Sequence, residues 1–129
     1  MKNRSIVTTD APAPFSAYSQ AVEIPAGARQ LHVSGQVGIT LDGTFPASAE
    51  AQHEQAWVNI LAILEAAGMT RTDIVSVLAI VSDPTGVPVF RQVRDRMMKG
   101  HLAGSTLLVC GLANPDWKVE IAVTAASSA

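Results

Sequence analysis

Val33-Ser34-Gly35-Gln36-Val37-Gly38 reads as a strand that carries a flexible Ser-Gly-Gln step through otherwise apolar sequence. Glycine inside a strand marks a bulge or a close approach of the backbone. Working outward, Gln30 to Thr40 forms one strand and Ala17 to Ile24 an earlier one, closed by the turn cluster Pro25-Ala26-Gly27-Ala28. Asp42-Gly43 turns the chain toward a helix capped by Ser48, with Glu50 favouring its first turn. Trp57, Ile60, Leu61, Leu64 and Ala67 share one face of that helix, and Gly68 is placed as its left-handed end residue. Asp73 to Val81 is a third strand, broken by Asp83-Pro84-Thr85-Gly86. A second helix follows over Val87 to Lys99. Val89, Phe90, Val93 and Met97 point inward, Arg91, Arg94, Asp95 and Arg96 mostly outward, and Gly100 ends it. Ser105 to Leu112 and Trp117 to Ala125 complete the set, joined by Ala113-Asn114-Pro115-Asp116. The order is β-β-α-β-α-β-β: an α+β chain with a mixed sheet and two helices.

Two of these strands are too apolar for a sheet with one wet face. Ile74 to Val81 and Thr106-Leu107-Leu108-Val109-Cys110 lack polar alternation. Two helices cover one face, and nothing in the chain is left for the other. Burying a Val, Leu or Ile side chain is worth roughly 1.5–3 kcal/mol, so a second apolar face favours self-association. The composition agrees. Only 16% of the 129 residues are charged while 48% are hydrophobic, against a usual charged share of about 25%. The length suits a single domain over 1–129. A net charge of −2 and no Lys/Arg run argue against a nucleic-acid partner. No apolar run approaches the roughly 18–20 residues that span a bilayer, and no signal-peptide pattern opens the chain. The lone Cys110 excludes an intrachain disulfide, fits a reducing cytoplasm and reads as a buried small hydrophobe.

Few residues carry chemistry. Glu120 stands in Lys118-Val119-Glu120-Ile121, a carboxylate among apolar neighbours that faces either solvent or a cleft. Desolvation in a cleft is the usual way a carboxyl is tuned for acid–base work. Tyr18, the only tyrosine, ends the Pro-rich lead-in Ala11-Pro12-Ala13-Pro14-Phe15-Ser16-Ala17 and is either a packing aromatic or a hydrogen-bonding phenol. His32, His53 and His101 lack metal-ligand spacing, so no metal site is expected. Phosphate loops and nucleophile elbows are missing too.

In this order and at these separations, the Tyr18, Ser34-Gly35-Gln36 and Glu120 segments resemble the RidA/YjgF family, also called L-PSP, from about Ile6 to Ala126. The resemblance implies a chorismate-mutase-like, RidA-like fold closed as a homotrimeric barrel, with clefts between neighbouring subunits and no cofactor. It gives Glu120 the task of positioning the attacking water and shuttling its proton. Tyr18 becomes the phenol that hydrogen-bonds the substrate, and Ser34, Gly35 and Gln36 line the cleft. One departure stands out. Imine-hydrolysing members carry an arginine at the start of the fourth strand to grip the substrate carboxylate. Here that run is Leu102-Ala103-Gly104-Ser105-Thr106-Leu107, with Ser105, or Gly104 after a one-residue shift, in the arginine's place. Ser105 and Thr106 offer neutral hydroxyls instead. Arg91 and His101 are conceivable substitutes, and an exposed helix arginine is the plainer reading of Arg91. The expected activity is a cofactor-free deaminase acting on a reactive enamine or imine of a small carboxylated metabolite, such as an aminomuconate. The alternative is a non-catalytic trimer that binds a small metabolite, and an endoribonuclease ranks below both.

Overall fold

The expected order is present with one strand added at its start. A computed structural model describing residues 1–128 runs β1 (Arg4–Ile6), β2 (Ala21–Glu23), β3 (Arg29–Val37), α1 (Ala49–Ala66), β4 (Ile74–Val81), α2 (Gly86–Met98), β5 (Gly104–Val109) and β6 (Val119–Ser127). A single 3-10 turn, Arg71–Asp73, leads into β4. β1 and β2 form a small antiparallel ribbon, and the others make a mixed sheet in the order β3-β6-β4-β5. Only β4 and β5 pair in parallel, and α2 supplies the long crossover that a parallel pair requires. β3 and β4 flank β6, each antiparallel to it, and α1 connects them across the same face.

The strand expected over Ala17 to Ile24 is reduced to Ala21–Glu23. Gln20 explains the loss. Its side-chain oxygen accepts from the Thr8 amide at 2.7 Å, while Nε2 donates to the carbonyls of Thr8 and Pro12 at 3.1 and 3.0 Å. The Pro-rich lead-in is thus tied into a folded loop rather than drawn out as a strand.

Local signals set the helix ends. Ser48 Oγ accepts from the Ala51 amide at 3.2 Å, and Gly68 follows α1 at φ +73°. Trp57, Ile60 and Leu64 are fully buried on its inner face. Gln52 is buried beside them with every polar atom used. It donates to the carbonyls of Pro46 and Asp116 at 2.9 and 3.1 Å and accepts from the Lys118 amide at 2.8 Å. That amide ties α1 to both the loop before it and the entry to β6. The end of β3 meets the same turn of helix: a methyl group on Gly38 would lie 2.5 Å from the Gln52 carbonyl oxygen.

Two expectations are corrected. Arg94 does not face outward; it is only 4% exposed. Phe90 and Met98, four residues either side of it, are buried as well, so helical spacing places all three on one face. Cys110 is exposed rather than buried. It follows the end of β5, the edge strand, where its amide makes one last bond to the Val81 carbonyl and no element covers it.

The two faces of the sheet differ sharply. Toward the helices, Val77, Ala79, Val81, Ile121, Val123 and Ala125 are buried. On the other face, register aligns Leu78 with Ala122 and Thr106, and Ile80 with Glu120 and Leu108. Leu78 and Leu108 are 42% and 47% exposed there.

Candidate functional site

Glu120 projects from β6 onto the open face, opposite Ile80 on one side and Val37 on the other. Its position depends on the Ser-Gly-Gln step. The β3–β6 register slips between Val33 and Gln36, and at this bulge Gly35 presents bare backbone to the carboxylate. A methyl group there would lie 2.2 Å from Glu120 Oε2. The glycine therefore makes room for the acid. Ser34 is exposed at the same bulge, and Gln36 folds back to donate to the Ser34 carbonyl at 3.2 Å. Thr106 lies on the same face two strands away, aligned with Leu78 on β5.

A second group gathers elsewhere on the chain. Phe15, Ser16 and Tyr18 from the tied loop, Phe90, Arg91 and Arg94 from α2, and Ser105 and Leu107 from β5 enclose a cleft of about 250 Å³. The Tyr18 phenol oxygen accepts from the Phe15 amide at 3.1 Å. Its proton meets no acceptor among the described residues, so the phenol is set to donate. Arg91 is exposed at the mouth. Arg94 lies deeper, with Nη2 donating to Ser16 Oγ at 3.2 Å and its guanidinium carbon 5.5 Å from the centre of the Phe90 ring. Two of the lining residues are cationic and none is anionic.

The sequence-predicted residues thus fall into two sets. Tyr18, Arg91 and Ser105 share the cleft, whereas Ser34, Gly35, Gln36, Glu120 and Thr106 stand outside it. His101 belongs to neither. Its Nε2 bonds the Ile74 carbonyl at 2.8 Å, beside a separate surface hollow near β1. Sequence reasoning missed Arg94, although its four-residue spacing from Phe90 was a usable signal. Among the described residues no three His, Cys, Asp or Glu gather to hold a metal ion, and no helix is long and apolar enough to cross a membrane.

The profile of the family described as Endoribonuclease L-PSP matches residues 8–127. A 2-iminobutanoate/2-iminopropanoate deaminase of Dermatophagoides farinae is 34% identical over 123 residues, 92% of this chain and 91% of that one. A RutC family protein of Aquifex aeolicus is 41% identical over 81 residues, 62% of each chain. Among solved structures, the Rid-family protein YyfB of Yersinia pestis, described as of unknown function, superimposes with a TM-score of 0.81 at 28% identity. That superposition covers 98% of this chain and 100% of the other.

Proposed function

The chain belongs to the RidA/YjgF family, whose profile carries the description Endoribonuclease L-PSP, and on that premise we propose that it is a cofactor-free deaminase. It adds water to a reactive enamine or imine of a small carboxylated metabolite and releases ammonia. The observation that carries this reading is the Glu120 carboxylate resting against the bare backbone of Gly35, on the sheet face where Leu78 and Leu108 are left 42% and 47% exposed.

In the proposed reaction the Glu120 carboxylate takes a proton from water as its oxygen adds to the C=N carbon. That proton passes to nitrogen to give a carbinolamine, whose hydroxyl then yields its own proton through Glu120 to the amine as the C–N bond breaks, so that a ketone and ammonia leave. The Tyr18 phenol donates a hydrogen bond to the substrate and keeps its proton. Both Tyr18 and Glu120 act on one substrate only if two copies of the chain meet. We therefore place the reaction in a homotrimer, each cleft pairing the Tyr18 group of one subunit with the Glu120 group of its neighbour. Covering the open face of the sheet drives that assembly. The assembled protein belongs in the cytoplasm, in contact with the metabolites it clears.

The test is ammonia release from 2-iminobutyrate generated in situ, measured above spontaneous hydrolysis. General acid–base groups contribute about 10²–10⁴-fold, so Glu120→Gln is expected to lose at least about 100-fold. Unchanged turnover in that variant removes Glu120 from the mechanism. A second reading, a trimer that binds a small carboxylate without turning it over, is favoured by one observation: β5 begins with Gly104 and Ser105 rather than an arginine. Tight binding of a keto acid in thermal-shift screening, with no turnover of the matching imine, selects it.

A further inference from the structure

Arg94 is the one arginine among the described residues with a buried side chain, and its surroundings do not account for all of it. Nε and Nη2 both reach Asp95 Oδ1 at 3.0 Å, and Nη2 also reaches Ser16. Nη1 has no partner among the described residues. That nitrogen is not sealed from solvent as the His53 and Trp57 ring nitrogens are, and the guanidinium borders the cleft whose lining contains no acid. The neighbouring Asp95 side chain is half exposed. It pins one edge of the planar fork, and the guanidinium carbon lies over the Phe90 ring. The remaining edge is held in one orientation rather than free to swing, as Arg91 is on the surface.

We infer that Arg94 is the carboxylate-binding residue of this site, doing from α2 what the start of β5 does not. The inference rests on the deaminase reading for the substrate's class and adds the group that selects it. A substrate carboxylate meets the unengaged Nη1 through a charge-assisted hydrogen bond. The Tyr18 phenol proton and the Ser105 hydroxyl, unbonded to any described residue, are the neutral donors beside it. A cleft of about 250 Å³ lies below the roughly 300–1,000 Å³ of pockets for drug-sized ligands. It therefore suits a monocarboxylate of a few carbons. Selectivity between a keto acid and the corresponding neutral ketone resides in Arg94, with the exposed Arg91 contributing attraction at the mouth.

Calorimetric titration with 2-ketobutyrate and with 2-butanone, which has the same carbon chain without the carboxylate, tests this on the assembled protein. Wild-type protein is expected to prefer 2-ketobutyrate by at least about tenfold. Arg94→Met should lose about 10- to 100-fold for 2-ketobutyrate and little for 2-butanone, and Arg94→Lys should recover only part. Arg91→Met should lose less than Arg94→Met. Retained 2-ketobutyrate affinity in Arg94→Met overturns the inference, as does a wild-type protein that does not prefer the keto acid. Because removing a buried side chain can unfold the chain, the same question is put to wild-type protein by nitrogen-15 NMR of the arginine side chains. The Arg94 Nε resonance should move with 2-ketobutyrate and not with 2-butanone, and a stationary resonance overturns the inference. If 2-ketobutyrate binds through Arg94 while 2-iminobutyrate is hydrolysed no faster than in buffer, the deaminase reading fails and the assignment of Arg94 stands. If ammonia release proceeds with an unchanged KM in Arg94→Met, the deaminase reading stands and Arg94 is only structural.

Discussion

The two faces of the same four strands have opposite characters. Beneath the helices, Val77, Val81, Ile121 and Val123 meet Trp57, Ile60, Phe90 and Val93 in a closed core. On the far side, Leu78 and Leu108 are nearly half exposed, with Glu120 at one end of the same face. Alternate residues of β6 serve the two roles: Ile121 and Val123 hold the chain together, while Glu120 and Ala122 between them serve the open side. Sheets divide labour this way because successive side chains point to opposite faces. The lesson is that stability and chemistry are separable here by one-residue steps, and substitutions can be aimed at either.

The largest expected effect is on assembly. Leu108→Asp puts a charge on the open face without touching the helix-covered core, so each chain should keep its circular dichroism spectrum while sedimentation shows only monomers. Ammonia release should fall with it. A trimer that survives this change locates the subunit contact elsewhere.

Next in size is a change on the covered side. Gly38→Ala drives a methyl group into the backbone of Gln52, 2.5 Å from its carbonyl oxygen. Overpacking against an immovable backbone costs about 1–3 kcal/mol, occasionally more. Chemical denaturation should register that loss, and an unaltered midpoint would mean that α1 yields more readily than its packing implies. Where the monomer remains folded, the open face should be unaffected.

Why Gly38 and Gly35 behave differently is only half legible in the sequence. Both glycines lie in the quoted stretch, and a glycine in a strand announces close approach without naming what approaches. One admits a helix backbone, the other a carboxylate. Helical spacing recovers α1 and its buried Trp57, Ile60 and Leu64, because apolar periodicity and burial have the same cause. It fails at Arg94, whose charge suggests the outward face: the side chain stands on the inward face all the same, held along one edge by Asp95 and lying over the Phe90 ring. Of the N-terminal ribbon, β2 is legible as part of the longer strand expected over Ala17 to Ile24, and β1 is not. The ribbon's strands are three residues each, and the loop between them is fixed by Gln20, whose long-range bonds leave no local pattern. The division of the candidate residues into two groups is a property of the folded chain alone.

The smallest expected effect at neutral pH concerns His53, inside the covered core. Neither ring nitrogen has a hydrogen-bond partner among the described residues, and the ring packs beside Phe90 at 6.2 Å. Burial holds its pKa at about 4, down from 6.5. Below pH 6.5 the unfolded chain therefore takes up a proton that the folded chain refuses. Stability should fall as pH drops from 6.5 toward 4, with a limiting slope of about 1.4 kcal/mol per pH unit from this group. His53→Leu removes both the unpaired nitrogens and that dependence. It should raise the melting temperature slightly at pH 7 and more at pH 5. Equal gains at the two pH values would show that folding leaves the protonation of His53 unchanged.

Whether the site is shared between copies is tested most directly by complementation. Tyr18→Phe disables one group of residues and Glu120→Gln the other, and each variant alone should release ammonia from 2-iminobutyrate at least about tenfold more slowly than wild type. Co-expression in equal amounts mixes the chains within the proposed trimer, and random assembly then sets the two intact groups against each other in about one cleft in four. The account predicts that the mixed protein regains about a quarter of wild-type activity. Activity no higher than the mean of the two separate variants would show that each site is built within a single chain, and would contradict the shared cleft.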